Sequence, residues 1–99
     1  MKVFLDDKRL TPMGWVSAKS PDKVIELLKT GEVTELSLDY DLGENTWGTG
    51  YDVIIWLEQQ VINNNFKLPS KITIHSDHVL LKPRMESAIK NIINLAQNK

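Results

Sequence analysis

Carboxylate side chains follow two short apolar runs of the chain, at the point where each run ends. Asp6 and Asp7 come directly after VFL, and Asp39 and Asp41 come after LSL. Such runs predict buried β-strands that lead into loops. If the two strands are neighbours in a parallel sheet, we expect the four aspartates to converge at the edge of the sheet where ligands bind.

The convergence of these carboxylates creates a charge problem that the protein has to solve. Two unit charges about 5 Å apart repel by roughly 3 kcal/mol at an effective dielectric constant near 20. The solutions are protonation, a nearby Lys8 or Arg9, or a divalent cation. Oxygen ligands without cysteine favour Mg²⁺, with Mn²⁺ or Ca²⁺ as alternatives. A single aspartate most often caps a turn, but the paired arrangement favours a cation held by all four.

Two other side chains have chemistry that suits such a site. His75 follows the strand-like run Lys71–Ile74 and could act as a general acid or base, or as a metal ligand. The alternative is a histidine that only hydrogen-bonds to loop backbone. Arg9 could bind a phosphate with two parallel hydrogen bonds, and the alternative is a surface ion pair with Asp7 or Asp41.

Short strands alternate with amphipathic helices along the whole chain. This alternation indicates right-handed βαβ crossovers and a mostly parallel sheet. We therefore predict a small α/β three-layer sandwich, with about four strands covered by helices on both faces. The predicted strands are Met1–Leu5, Trp15–Lys19, Leu36–Leu38 and Lys71–Ile74, and the predicted helices run from the Ser20 cap to Gly31, from Val53 to Ile62 and from Pro83 to Ala96.

Length and composition limit the class of protein. The 99 residues predict a single domain over 1–99, and the absence of cysteine excludes disulfides and thiolate metal sites. Twelve basic residues against thirteen acidic ones give a net charge of −1, which disfavours binding to duplex DNA. The N-terminal apolar run is too short for a signal peptide or membrane span, so we expect a cytoplasmic protein that does not contact a membrane. The oligomeric state stays open.

Four motifs together carry a resemblance to a known family. FLDD near the start, LSLDYDLG in the middle, GTGYD before a helix and IHS after a later strand resemble response-regulator receiver domains. The whole chain is more closely similar to the cyclic-phosphate processing receiver-like family. This resemblance implies a receiver-like, flavodoxin-like sheet. It also implies that Asp6 and Asp7 form an acid pair that holds Mg²⁺, and that Asp39 occupies the position of the phosphoacceptor.

The resemblance assigns further roles and also shows two departures. Asp41 falls where receivers offer a backbone carbonyl to the metal, and His75 or Ser76 falls near the residue that contacts phosphate. Receivers have a helix between their first two strands, which this sequence lacks. They also have a final strand ending in a phosphate-binding lysine, which is not found here. Lys8, Arg9 or Lys82 could replace that charge.

The leading functional hypothesis is a cation-dependent domain whose partner is a phosphate-bearing small molecule or nucleotide. It would act on or bind a cyclic phosphate, and phosphoesterase activity is one form of this hypothesis. Its catalytic candidates are Asp39, His75 and Arg9, and its phosphate-binding candidates are Arg9, Ser76 and Lys82. One rival hypothesis is a signalling module in which Asp39 accepts a phosphoryl group, and another is a nucleotide-binding protein without catalysis.

Overall fold

Four parallel strands form one sheet in the order β2-β1-β3-β4. The computed structural model describes residues 1–39, 50–75 and 80–97. The α/β class and the receiver-like parallel sheet of four strands are therefore confirmed. The elements are β1 (Lys2–Leu5), β2 (Trp15–Ala18), α1 (Pro21–Leu28), β3 (Glu35–Leu38), α2 (Gly50–Asn64), β4 (Lys71–Ile74) and α3 (Leu81–Gln97).

The first helix begins at the predicted cap. The Ser20 hydroxyl accepts a hydrogen bond from the Lys23 backbone N–H at 3.3 Å, and Pro21 occupies the first helical position. Proline suits that position because its missing N–H has no partner within the helix. After Leu28 the chain turns through Gly31, whose φ of +76° favours glycine, and this turn leads into β3.

The other two helices extend beyond their predicted limits. α2 begins at Gly50 instead of Val53 and ends at Asn64, after which Asn65 adopts a left-handed conformation with φ of +52°. α3 begins two residues before Pro83, which lies in the first turn, where proline costs no helical hydrogen bond. None of the described helices combines the length and the apolar composition of a bilayer-spanning segment.

The hydrophobic core lies between one face of the sheet and the three helices. The strand register puts Val3 beside Val16 and Leu36, so these side chains point to the same face. α2 contacts both α1 and α3, which makes one continuous layer of helices. The buried core includes Val3, Leu5, Ala18, Val24, Leu28, Leu36, Leu38, Val53, Leu57, Val61, Ile74, Met85, Ile89 and Ile92.

Helices were expected on both faces of the sheet, which would make three layers. The described helices all lie on the face just described, so the described residues form two layers. The chain crosses from β2 to β3 and from β3 to β4 in one direction, and right-handed crossovers in one direction place their helices on one face. Only the β1–β2 crossover runs the other way, and it contains no helix. We call the opposite face of the sheet the open face; by register it carries Lys2, Phe4, Trp15, Ser17, Glu35, Ser37, Lys71 and Thr73.

Candidate active site

Three strands deliver polar side chains to one edge of the sheet. Asp6, Asp39 and His75 are the first residues after β1, β3 and β4. Each strand's hydrogen bonding continues for one more residue: the Asp39 N–H donates to the Leu5 carbonyl at 3.1 Å, and the His75 N–H donates to the Leu38 carbonyl at 3.0 Å. One potential ligand atom from each of the three side chains lies within 4.8 Å of the other two. We call Asp6, Asp39 and His75 the edge cluster.

Asp6 is the most buried member of the edge cluster, with only 3% of its surface exposed. Its Oδ1 accepts hydrogen bonds from the backbone N–H groups of Lys8 at 2.8 Å and Arg9 at 3.0 Å. Its Oδ2 lies 3.1 Å from His75 Nε2 and 3.8 Å from Arg9 Nε. Nearby donors therefore surround both carboxylate oxygens.

These contacts determine the charge state of Asp6. Burial acts to raise the pKa of Asp6, but the backbone hydrogen bonds from Arg9 and Lys8, together with His75, outweigh it and hold this pKa below the ordinary value of 3.8. The protein thus stabilises the Asp6 carboxylate with its own groups. Of the three solutions expected for the repulsion between carboxylates, the structure shows a nearby arginine at Asp6, with Arg9 Nε 3.8 Å from Oδ2.

The His75 ring is fixed by contacts on several sides. Its Nδ1 lies 2.6 Å from the Ser37 hydroxyl, and the ring stacks on Phe4 with centroids 4.2 Å apart and planes 6° from parallel. The Arg9 Nη1 donates to the His75 backbone carbonyl at 2.6 Å. If Ser37 donates to Nδ1, Nε2 carries the proton and donates to Asp6. If Ser37 accepts from Nδ1, the Nε2 lone pair faces the Asp6 carboxylate, an arrangement that requires a proton or a cation between them.

Asp7 lies next to the edge cluster in sequence but is not among its members. β1 ends at Leu5, and the chain bends at Asp7 so that the backbone N–H groups of Lys8 and Arg9 point back at the Asp6 carboxylate. The Asp7 Oδ1 is buried and has no hydrogen-bond partner among the described residues. An unpaired buried carboxylate oxygen is costly, and a cation or a bound water would satisfy it.

Of the remaining predicted site residues, the structure describes two and leaves two outside the described ranges. Asp41 and Ser76 lie outside the described residues. Lys82 lies in the first turn of α3 and is half-buried, and within residues 1–39, 50–75 and 80–97 its ammonium group forms no hydrogen bond or ion pair. Arg9 pairs with Asp6, one of the carboxylates that it was expected to neutralise, and 42% of its side chain is exposed.

Sequence reasoning missed two residues that hold His75. Ser37 and Phe4 are register partners on neighbouring strands, and both precede the edge cluster by two positions on the open face. A signal for Ser37 was present, because a serine between two leucines in a buried strand points away from the core. Ser37 is nevertheless buried, so its hydroxyl needs a partner, and His75 provides it.

The N-terminus of α2 lies against the backbone of Asp39. A Cβ atom added to Gly50 would overlap the Asp39 carbonyl oxygen, lie 3.0 Å from the carbonyl carbon and lie 3.2 Å from the Met85 methyl group. Only glycine permits so close an approach between the two backbones. Gly50 thus fixes how α2 meets the end of β3, next to the edge cluster.

Comparison with known proteins supports the receiver-like interpretation. The family model described as Cyclic-phosphate processing Receiver domain matches residues 1–91. The matched range includes all four strands and all three members of the edge cluster. A search of curated proteins and a search of solved structures found no match. The resemblance identified from the sequence motifs is therefore confirmed.

Proposed function

This chain belongs to the family of cyclic-phosphate processing Receiver domains, and from that premise we propose that it binds a divalent cation at the edge cluster and handles a phosphate-bearing ligand there. The ligand class is a cyclic phosphate or a nucleotide. The observation that carries the proposal is the convergence of Asp6, Asp39 and His75 ligand atoms within 4.8 Å. Two carboxylates and an imidazole at the carboxyl edge of a parallel sheet suit both cation binding and phosphate chemistry.

The donor set fits a divalent cation. Asp6, Asp39 and His75 would hold it. The buried Asp7 Oδ1, which has no hydrogen-bond partner among the described residues, supports a positive charge nearby. Carboxylates suit Mg²⁺, Ca²⁺ and Mn²⁺, and of these three cations Mn²⁺ accepts an imidazole ligand best. A bound cation would polarise a phosphoryl oxygen and offset the charge that develops on it.

The chain's own side chains have separate roles in this proposal. The partly exposed Arg9 guanidinium, already beside the edge cluster, would bind phosphate oxygens. The two roles of His75 exclude each other, because Nδ1 contacts Ser37 and only Nε2 is left. Where Asp6 and Asp39 hold the cation without His75, Nε2 would take a proton from an attacking water and return it to the ester oxygen that leaves when the P–O bond breaks. Ser76 and Lys82 stay predictions as phosphate contacts.

Isothermal titration with Mg²⁺, Mn²⁺ and Ca²⁺ tests the cation site. Wild-type protein is expected to give saturable binding heat, and Asp39→Ala is expected to weaken binding by at least about tenfold, because it removes one of the two clustered carboxylates. Glu58→Gln, on the exposed side of α2, is the control and should bind like wild type. Equal binding by wild type and Asp39→Ala would contradict the assignment.

Assays on cyclic nucleotides then separate the candidate activities. Turnover that requires the cation and is lost in Asp39→Ala supports a phosphoesterase, whereas tight binding without turnover supports a binding protein. The rival signalling function makes Asp39 a phosphoacceptor, which the position of this residue at the end of β3 also permits. Acetyl phosphate would then add the mass of one phosphoryl group to wild type and not to Asp39→Asn.

The Ser37 hydroxyl is expected to control cation affinity through His75. Ser37→Ala removes the group that orients Nδ1, and loss of such a partner typically lowers metal affinity by about 10- to 100-fold. Ser17→Ala is a matched control, because Ser17 and Ser37 flank Phe4 in register on the same face and Ser17 is exposed. Mn²⁺ titration of both variants provides the measurement. Equal affinity in Ser37→Ala and wild type would show that His75 is not a ligand or is positioned without Ser37.

A further inference from the structure

The strand β4 forms one edge of the described sheet. The Lys71 N–H donates to the Thr34 carbonyl and the His75 N–H donates to the Leu38 carbonyl, so odd-numbered residues of this strand face β3. Hydrogen-bonding direction alternates along a parallel strand. The backbone N–H and C=O groups of Ile72 and Ile74 therefore point away from β3, toward the edge, where no strand of the described residues pairs with them.

An apolar groove lies beside this edge, between β4 and α3. Its volume is about 250 Å³. Ile93 is 37% exposed at its border, and Ile72 is partly exposed. The lining residues are Ile72, Thr73, Ile74, Glu86, Ile89, Lys90 and Ile93. We call this surface the β4–α3 groove.

The two charged residues of the β4–α3 groove are arranged in a self-complementary way. Glu86 and Lys90 lie four residues apart on α3, so they are one helical turn apart on the same side. Neither forms an ion pair within the described residues. A two-fold axis between them reverses the order of the charges, so that Glu86 of each copy faces Lys90 of the other.

We propose that the β4–α3 groove is a homodimer interface, occupied by a second copy of this chain. Two β4 edges related by a two-fold axis run antiparallel, and their outward N–H and C=O groups pair to join the two sheets. The exposed isoleucines of both copies cover each other, and two Glu86–Lys90 pairs close the rim. The net charge of −1 adds little repulsion between copies. The proposal concerns a surface separate from the edge cluster and does not depend on the proposed catalytic function.

Analytical ultracentrifugation of the full chain tests this interface with charge-reversed variants. We expect wild type to shift from monomer to dimer between about 1 µM and about 1 mM, the range suited to a small interface. Glu86→Lys and Lys90→Glu each create two like-charge contacts, and each should raise the dimer dissociation constant by at least about tenfold. Glu58→Lys, outside the groove, applies the same charge change and should dimerise like wild type.

Mixing the two single variants provides the decisive measurement. The Glu86→Lys protein has lysine at both groove positions, and the Lys90→Glu protein has glutamate at both. In their heterodimer every facing pair is attractive, so it should form with at least the wild-type affinity. Circular dichroism of each variant alone verifies that α3 stays folded. A wild type that is monomeric over the whole range, single variants that dimerise like wild type, or an equimolar mixture that stays monomeric would each overturn the proposal.

Discussion

Replacing Gly50 with alanine is expected to lower the free energy of unfolding by about 1–3 kcal/mol and to displace Asp39 from the edge cluster. At an exposed helical position the same change stabilises a protein by about 1 kcal/mol. A decrease in the free energy of unfolding, in place of an increase, would therefore identify the steric overlap. The reason is steric, because the added methyl group overlaps the Asp39 carbonyl oxygen. Asp39 cannot retreat without weakening its 3.1 Å hydrogen bond to the Leu5 carbonyl.

Urea unfolding and Mn²⁺ titration of Gly50→Ala measure the two effects. Gly31→Asn is the control for replacing a glycine, because the position has open space and asparagine tolerates its positive φ. We expect Gly31→Asn to keep the cation affinity of wild type and to lose some stability, because its φ of +76° favours glycine. A Gly50→Ala protein that is as stable as wild type would show that the two backbones separate at no cost.

Asp6→Asn is expected to lower the free energy of unfolding at pH 7 by about 1.5–3 kcal/mol, the range for hydrogen bonds to a charged group. Asparagine keeps a similar shape and one acceptor oxygen, but it loses the charge that His75, Arg9 and two backbone N–H groups stabilise. Relief of repulsion from Asp39 acts in the opposite direction. The lowered pKa of Asp6 indicates that the favourable contacts are the stronger effect.

The same contacts predict how stability depends on pH. Because the folded-state pKa of Asp6 lies below its unfolded value of 3.8, the stabilisation is fully present above that value and is lost as the pH falls through the folded pKa. The difference between wild type and Asp6→Asn should therefore shrink as the pH falls from 5 toward 3, in a cation-free buffer. Urea midpoints measure it, with Glu58→Gln as the control. A difference that stays constant with pH would contradict the role of the Asp6 charge.

Local sequence patterns were sufficient to predict the strands and the Ser20 cap. They did not predict where every helix begins and ends, or that the described helices cover only one face of the sheet. α2 starts at Gly50, whose backbone packs against Asp39. Glycine has low helix propensity, so sequence patterns favoured Val53. The strands are apolar runs in the sequence, and this pattern predicted a sheet covered by helices on both faces. The register shows why this inference failed: Phe4 and Ser37 face away from the helices, and Phe4 is covered in part by aromatic neighbours, Trp15 and His75.

The candidate site was predicted in outline because polar residues at strand ends must share one edge of a parallel sheet. That rule brings Asp6, Asp39 and His75 together. It did not separate Asp6 from Asp7, because the chain bends directly after β1 and the alternation of a strand does not extend into a bend. The contact of Ser37 with His75 joins residues 38 positions apart and depends on the β3–β4 register, which no local pattern specifies.

Because the His75 ring stacks parallel on Phe4, the nuclear magnetic resonance signals of its imidazole can be used to follow the state of this residue. Protons held above the face of a benzene ring experience its ring current and resonate upfield. The chain has two histidines, so its imidazole spectrum is simple, and the stacked ring of His75 is expected to show this shielding. Nitrogen chemical shifts of the same ring distinguish a protonated nitrogen from a bare one, so nuclear magnetic resonance can follow the imidazole tautomer, residue by residue, as cation is added.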